Sequence, residues 1–222
     1  TVSYFEHNKR ERGEVIAARL ADGESCALVT DAGTPAISDP GEDLVALCAE
    51  RGIPVTSIPG PVASITALTL SGLPTGRFCF EGFLSVNKAE RRERLEELRT
   101  ERRTMLFHEA PHKLRATLAD LADRRVALCR ELTKRNEEVL RMTLGEAVSY
   151  YAEIDPRGEY VLVVDGAQKT AATDGAFWAD MDIPTHVAFY IAQGMSKSDA
   201  IKKAAKDRGV PKNTVYQEMV GR

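Results

Sequence analysis

Residues 29–41, VTDAGTPAISDPG, join an apolar run at 26–29 to an amphipathic run at 42–52. A strand, a loop rich in Asp, Gly, Thr and Pro, then a helix is where α/β proteins hold ligands. Gly33 and Gly41 allow close backbone approach or positive φ, and Thr34 and Ser38 supply hydroxyls. A diphosphate cradle needs successive backbone N–H groups, several glycines and often a lysine. Here Pro35 and Pro40 remove donors, and Asp31 and Asp39 repel anions. The loop therefore suits a neutral or cationic ligand held by carbonyls and hydroxyls. S-adenosylmethionine, with a sulfonium, an ammonium and a neutral adenosine, fits that description.

A second loop, PGPVAS at 59–64, falls at the end of the next expected strand, on the same sheet edge. Ala63, Ser64 and Ile65 open a helix without a bulky group, a small and partly apolar shelf that can take an adenosine. Plain turn chemistry into a buried helix would use the same residues.

The elements that must position these loops alternate. Strands are expected at 1–5, 26–30 and 53–58, with helices at 10–21, 42–51 and 62–71 between and after them. The helix at 62–71 is almost uncharged, which predicts burial nearly all round. A β-α-β-α-β-α order implies a parallel sheet with right-handed crossovers. Beyond residue 76 the pattern is mixed α/β with more antiparallel content. Strands are expected at 77–84, 104–110, 124–132, 137–144 and 159–166, and helices at 88–103, 112–123 (entered at Pro111) and 146–152. Residues 167–182 read as a linker, followed by helices at 184–193, 196–208 and 211–220. The last two, joined by a short turn, resemble a helix-turn-helix. The expected domains are 1–75, 76–166 and 183–222.

The chain has 222 residues, 43% hydrophobic and 28% charged, which is globular. No apolar run approaches the roughly 20 residues of a membrane span, and no secretory leader is visible. Cys26, Cys48, Cys79 and Cys129 are scattered without a C-x-x-C pair. That disfavours zinc or a disulfide framework, predicts small buried thiols and fits a reducing cytoplasm. The net charge of −3 carries no global nucleic-acid signature. The tail is locally basic, however: Lys197, Lys202, Lys203, Lys206, Arg208, Lys212 and Arg222 face only Asp199, Asp207 and Glu218.

Six stretches now stand in a telling order: VTDAGTPAISDPG, IPGPVASITALTLSGLP, RFCFEGFL, FHEAPHKL, RELTKRNEE and GEYVLVVDG. Together they resemble the tetrapyrrole methylase superfamily, and within it the ribosomal RNA small-subunit methyltransferase I branch, over about residues 3–166. The basic helical tail resembles that branch's C-terminal helical domain. The resemblance implies a fold of two α/β domains with a cofactor cleft between them, plus the helical domain. It also implies S-adenosylmethionine as cofactor, 2′-O-methylation of a cytidine in small-subunit ribosomal RNA, and a homodimer. The family's usual first strand, with a TPIGNL-type loop, and the following EDTR segment have no counterpart here; His7 and Asn8 match its later HN position. The expectation is that residues precede Thr1 in the intact protein.

Carried over residue by residue, the resemblance assigns cofactor contacts to Asp31, Gly33, Thr34, Pro35, Ile37 and Ser38, and to Ala63, Ser64 and Ile65. The second domain contributes His108 through Ala110, Glu131, Leu132 and Thr133, and the region of Gly158 and Glu159. Methyl transfer from a sulfonium to a ribose hydroxyl needs alignment and removal of one proton. Glu109, Glu131 and Lys134 are the titratable residues in the matched motifs; Lys134 acts as a base only with a lowered pKa, and otherwise steadies an alkoxide or a phosphate. Arg91, Arg92, Arg102 and Arg103, with Lys202, Lys203, Lys206 and Lys212, are candidate RNA contacts. The competing readings are a superfamily enzyme acting on a small molecule such as a tetrapyrrole, and a non-enzymatic RNA binder.

Overall fold

Five short apolar runs form β1 (Phe78–Gly82), β2 (Thr104–Glu109), β3 (Arg125–Arg130), β4 (Glu138–Thr143) and β5 (Tyr160–Val164). They make one sheet in the order β1-β2-β5-β3-β4. β1 and β2 run parallel, and the other neighbours are antiparallel. In this computed structural model residues 1–121, 123–168, 177–178 and 180–220 are described. The chain divides into two units, Thr1–Ala167 and Gln168–Arg222. Residues 169–176 and 179 of the expected linker, and Arg222 of the basic tail, lie outside the described residues.

The sheet is covered on both faces, which is why β2 and β5 are apolar almost throughout. One face carries Met105, Phe107, Leu128, Leu162 and Val164 against α4 (Lys88–Leu98), α5 (Pro111–Asp120) and α6 (Leu144–Glu153). The other carries Leu106, Ala127, Cys129, Val161 and Val163 against Ala67 and Leu68 of α3 (Ala63–Ser71). Leu106, Leu128 and Leu162 are at most 1% exposed, and burying each contributes about 1.5–3 kcal/mol. α5 enters at Pro111 as expected, and Thr143 with Glu146 forms a reciprocal cap at the start of α6.

The first 75 residues depart from expectation. The stretches at 1–5, 26–30 and 53–58 are not strands; among the described residues no ladder precedes Phe78. A strand exists only through a neighbour's N–H and C=O groups, and these stretches find none. Val29, Val55 and Ile58 are accordingly 81%, 54% and 86% exposed. What holds this region is helix packing. Ile16 of α1 (Lys9–Ala21) and Leu44 and Cys48 of α2 (Glu42–Glu50) share a small core with Tyr4, Leu20 and Ile53. Lys9–Asp43 and Arg51–Glu14 ion pairs, at 2.8 and 2.5 Å, rim it.

Three smaller expectations are also corrected. Cys26 is exposed, because its strand does not form, whereas Cys48 and Cys129 are buried. α3 is not enclosed all round: it lies on one sheet face, so Ile65 and Leu70 remain 41% and 36% exposed. The helix expected over 88–103 stops at Leu98, and Arg103 instead folds onto Glu101.

The second unit packs α7 (Ile183–Ala192), α8 (Lys197–Arg208) and α9 (Lys212–Val220) around Val187, Ile201, Ala204 and Val215. Ser196 caps α8, and left-handed Gly209 ends it before the turn at Pro211. Helix, short turn and basic helix stand as the sequence implies.

Candidate active site

The two N-terminal loops are stitched together. Thr34 donates to the Pro61 carbonyl from its backbone N–H at 3.0 Å and from Oγ1 at 3.3 Å. Gly33, at φ +77°, touches the same carbonyl: a Cβ there would stand 2.9 Å from it. Ala36 and Ser38 also hold positive φ, 67° and 62°, a left-handed conformation that costs about 1–2 kcal/mol each. The loop is thus a constrained platform, with Asp31, Ile37 and Ser38 exposed along it and Pro35 half-buried. At its partner, α3 starts from Val62 without a side-chain cap. The first N–H groups of that helix, at Ala63, Ser64 and Ile65, therefore have no side-chain cap, although Ser64 itself is buried at 3% exposure.

The sheet supplies a second group from one end, where β2 and β3 finish and β5 begins. His108 sits between Phe80 and Phe83, edge-to-face at ring distances of 5.2 and 5.5 Å. Its buried Nε2 has no hydrogen-bond partner. Burial pulls its imidazole below the ordinary histidine value, while the charges of Asp39 and Glu159 push the other way. Asp39 belongs to the 29–41 loop, so the field of that loop reaches the sheet residue.

Beside it, Glu131 and Glu159 lock the ends of β3 and β5 together. The Glu131 N–H donates to the Glu159 carbonyl at 3.0 Å, and the Glu159 N–H donates to Glu131 Oε1 at 2.9 Å. Lys134 Nζ bridges Glu131 Oε1 at 3.0 Å and Glu159 Oε2 at 2.6 Å. Glu131 and Thr133 hold positive φ, 49° and 65°, and Leu132 between them packs into the α3-side core. The Glu159 N–H and then Lys134 hold the Glu131 carboxyl below its ordinary value. Glu159 and then Glu131 raise the Lys134 ammonium above its ordinary value. Lys134 is therefore a fixed cation, and the option of a lysine with a lowered pKa is not what this geometry provides.

Glu109 is not brought to these residues. It follows His108 in the strand and so faces the opposite side of the sheet. It is 4% exposed, accepts from the Ala110 N–H at 2.9 Å and receives the Thr117 hydroxyl, which in turn accepts from Arg91 at 2.9 Å. Arg91, expected on a basic rim, is likewise turned inward to Thr117 and Asp120. Phe80 and Phe83 were legible only as aromatic residues of one expected strand; nothing in their spacing of three showed that they flank His108. Among the described residues no cluster of three His, Cys, Asp or Glu is arranged to hold a metal ion.

These features fit a sulfonium nucleoside. The glycine cradle at Gly33 has no room for a side chain, the uncapped N–H groups of α3 suit a carboxylate, and the orphaned Nε2 of His108 awaits a polar partner.

Comparison with known proteins agrees with the motif pattern. The family model for Tetrapyrrole (Corrin/Porphyrin) Methylases matches residues 1–148. A protein of Halalkalibacterium halodurans named ribosomal RNA small subunit methyltransferase I is 47% identical over 219 residues, covering 97% of this chain and 76% of that protein. One of the same name from Synechocystis sp. is 42% identical over 221 residues, covering 97% of this chain and 78% of that protein. Among solved structures, the methyltransferase CobJ matches with a TM-score of 0.53 at 20% identity, covering 71% of each chain, a likeness of fold.

Proposed function

The chain belongs to the tetrapyrrole methylase family, in its ribosomal RNA small subunit methyltransferase I branch, and on that premise we propose that it transfers a methyl group from S-adenosylmethionine to the 2′-hydroxyl of a cytidine in small-subunit ribosomal RNA. The observation that carries this reading is 47% identity to a protein of that name across nearly the whole chain. A ribosomal RNA substrate implies action in the cytoplasm, and the family resemblance implies a homodimer.

The cofactor supplies a methyl group already activated on sulfur. This chain's residues supply the rest. Asp31, Gly33, Thr34, Pro35, Ile37 and Ser38 form one wall, and the uncapped N–H groups of Ala63, Ser64 and Ile65 take the carboxylate end. His108, kept neutral by burial, is the group able to accept the ribose proton. Lys134, oriented by Glu131 and Glu159, steadies the developing alkoxide or an adjacent phosphate. Glu109 holds the start of α5 instead. The α7–α9 unit offers Lys206, Lys212 and exposed Tyr216 to the RNA.

The test is methyl transfer by the intact protein from labelled S-adenosylmethionine to small ribosomal subunits, followed by nucleoside digestion. Label is expected in 2′-O-methylcytidine. Label on a base, or only on an added tetrapyrrole, would overturn the assignment.

A further inference from the structure

At the end of the sheet opposite His108 lies an open groove of about 380 Å³. It is lined by Arg77, Glu97, Thr100, Glu101, Arg102 and Arg103. Arg77 precedes β1 and Arg102 and Arg103 precede β2; the two strands are parallel, so all three arginines gather at one edge. The two carboxylates do not cancel them equally. Glu97 pairs with Arg94 outside the groove at 2.5 Å, and Glu101 is engaged by Arg103 at 2.6 Å. Arg103 holds the Glu101 carboxyl down to about 2. Among the described residues Arg77 and Arg102 have no ion-pair partner, and both are exposed.

We propose that this groove binds the phosphodiester backbone of the RNA substrate, with Arg77 and Arg102 as the phosphate contacts. The proposal rests on the methyltransferase reading above. Guanidinium forks match phosphate oxygens bidentately, and an open groove with exposed donors suits a chain passing through better than a small enclosed anion. β2 has six residues, so the groove lies about 20 Å along the sheet from His108, a span that a few nucleotides cover. The chain also leaves the first unit at the lip of this groove, where the Ala167 N–H donates to the Glu101 carbonyl at 2.6 Å.

The test measures binding of polyuridylate and of small-subunit RNA by fluorescence anisotropy across a salt series. The intact protein is compared with its Arg77→Gln/Arg102→Gln and Arg77→Lys/Arg102→Lys forms. Each single-strand phosphate contact contributes about 0.7 to the slope of log affinity against log salt. The glutamine form should lower that slope by roughly 1.4 and weaken binding about 10-fold at moderate salt, and the lysine form should keep most of both. In methyl transfer the glutamine form should raise KM for subunits and leave kcat unchanged. An unchanged slope in a glutamine form of normal thermal stability overturns the proposal. So does equal competition by polyglutamate that depends on the same arginines, which would point to an acidic protein partner. A wild-type protein that binds RNA through these arginines yet methylates none would overturn the methyltransferase reading alone.

Discussion

The Glu131 carboxylate lies directly against Gly158: a Cβ on that glycine would stand 2.6 Å from Glu131 Cγ and 2.7 Å from Oε1. Gly158 also holds φ +77°, where a side chain is strained. The position therefore sets where the β3 and β5 ends meet. Gly158→Ala should displace Glu131 and with it Lys134, costing about 1–2 kcal/mol of backbone strain and roughly 100-fold in kcat/KM. Steady-state methylation kinetics and thermal unfolding check this; wild-type activity would show that the Glu131–Lys134–Glu159 arrangement is dispensable.

Lys134 carries a raised pKa through Glu159 and Glu131, so its charge persists well above neutrality. No limb of the pH–rate profile between neutrality and pH 10 should belong to it. Lys134→Gln should lower kcat about 10- to 100-fold with the profile's shape unchanged. Loss of an alkaline limb in the variant would instead mark the lysine as a base.

His108 behaves differently. Its folded value lies below that of an ordinary histidine, so the neutral form dominates from about pH 6.5 upward. Transfer should rise with pH along an acid limb whose midpoint lies below that of an ordinary histidine. His108→Gln should remove that limb and most of kcat while calorimetry still records cofactor binding. An unchanged acid limb would assign the proton to another group.

Glu109 and Thr117 form a buried pair that also holds Arg91. Thr117→Val leaves both partners without the hydroxyl, which costs about 1–3 kcal/mol. The folded fraction should keep its full rate. A selective loss of kcat at unchanged stability would restore Glu109 to the reacting groups.

In the C-terminal unit, His186 is fully buried, stacked on Trp178, and accepts from Arg208 Nε at 3.0 Å. Burial first, then Arg208 and Lys203, lower its pKa, with Asp207 opposing. Tyr190, also against the ring, donates to Asp207. Because the folded value is the lower one, the unfolded chain takes up the proton first as pH falls. The contribution to stability is complete above about pH 6.5 and is lost progressively below it. Hydrogen exchange in α7 and α8 should therefore accelerate between neutral and mildly acid pH relative to the intrinsic rate. Equal protection at both would contradict a neutral buried imidazole.

Local pattern and chemistry were legible from the residues alone. The apolar runs of β2 and β5 declared strands of a mixed α/β region, Pro111 and Ser196 marked helix starts, and the prolines and aspartates of 31–40 argued against phosphate. Those are properties of a residue and its near neighbours in the chain. Tertiary structure decided what depends on a partner distant in sequence. The apolar stretches at 26–30 and 53–58 read as strands, but without a laddering neighbour they are not. His108 and Glu109 are adjacent in one motif, yet strand alternation sends one to the site and the other into the helix layer. Lys134 looked like a candidate base until Glu131 and Glu159 converged on it, from residues up to 25 positions away, and fixed it as a cation. Charge and orientation at a site are set by what folding brings beside each group, and that is where the sequence alone stops.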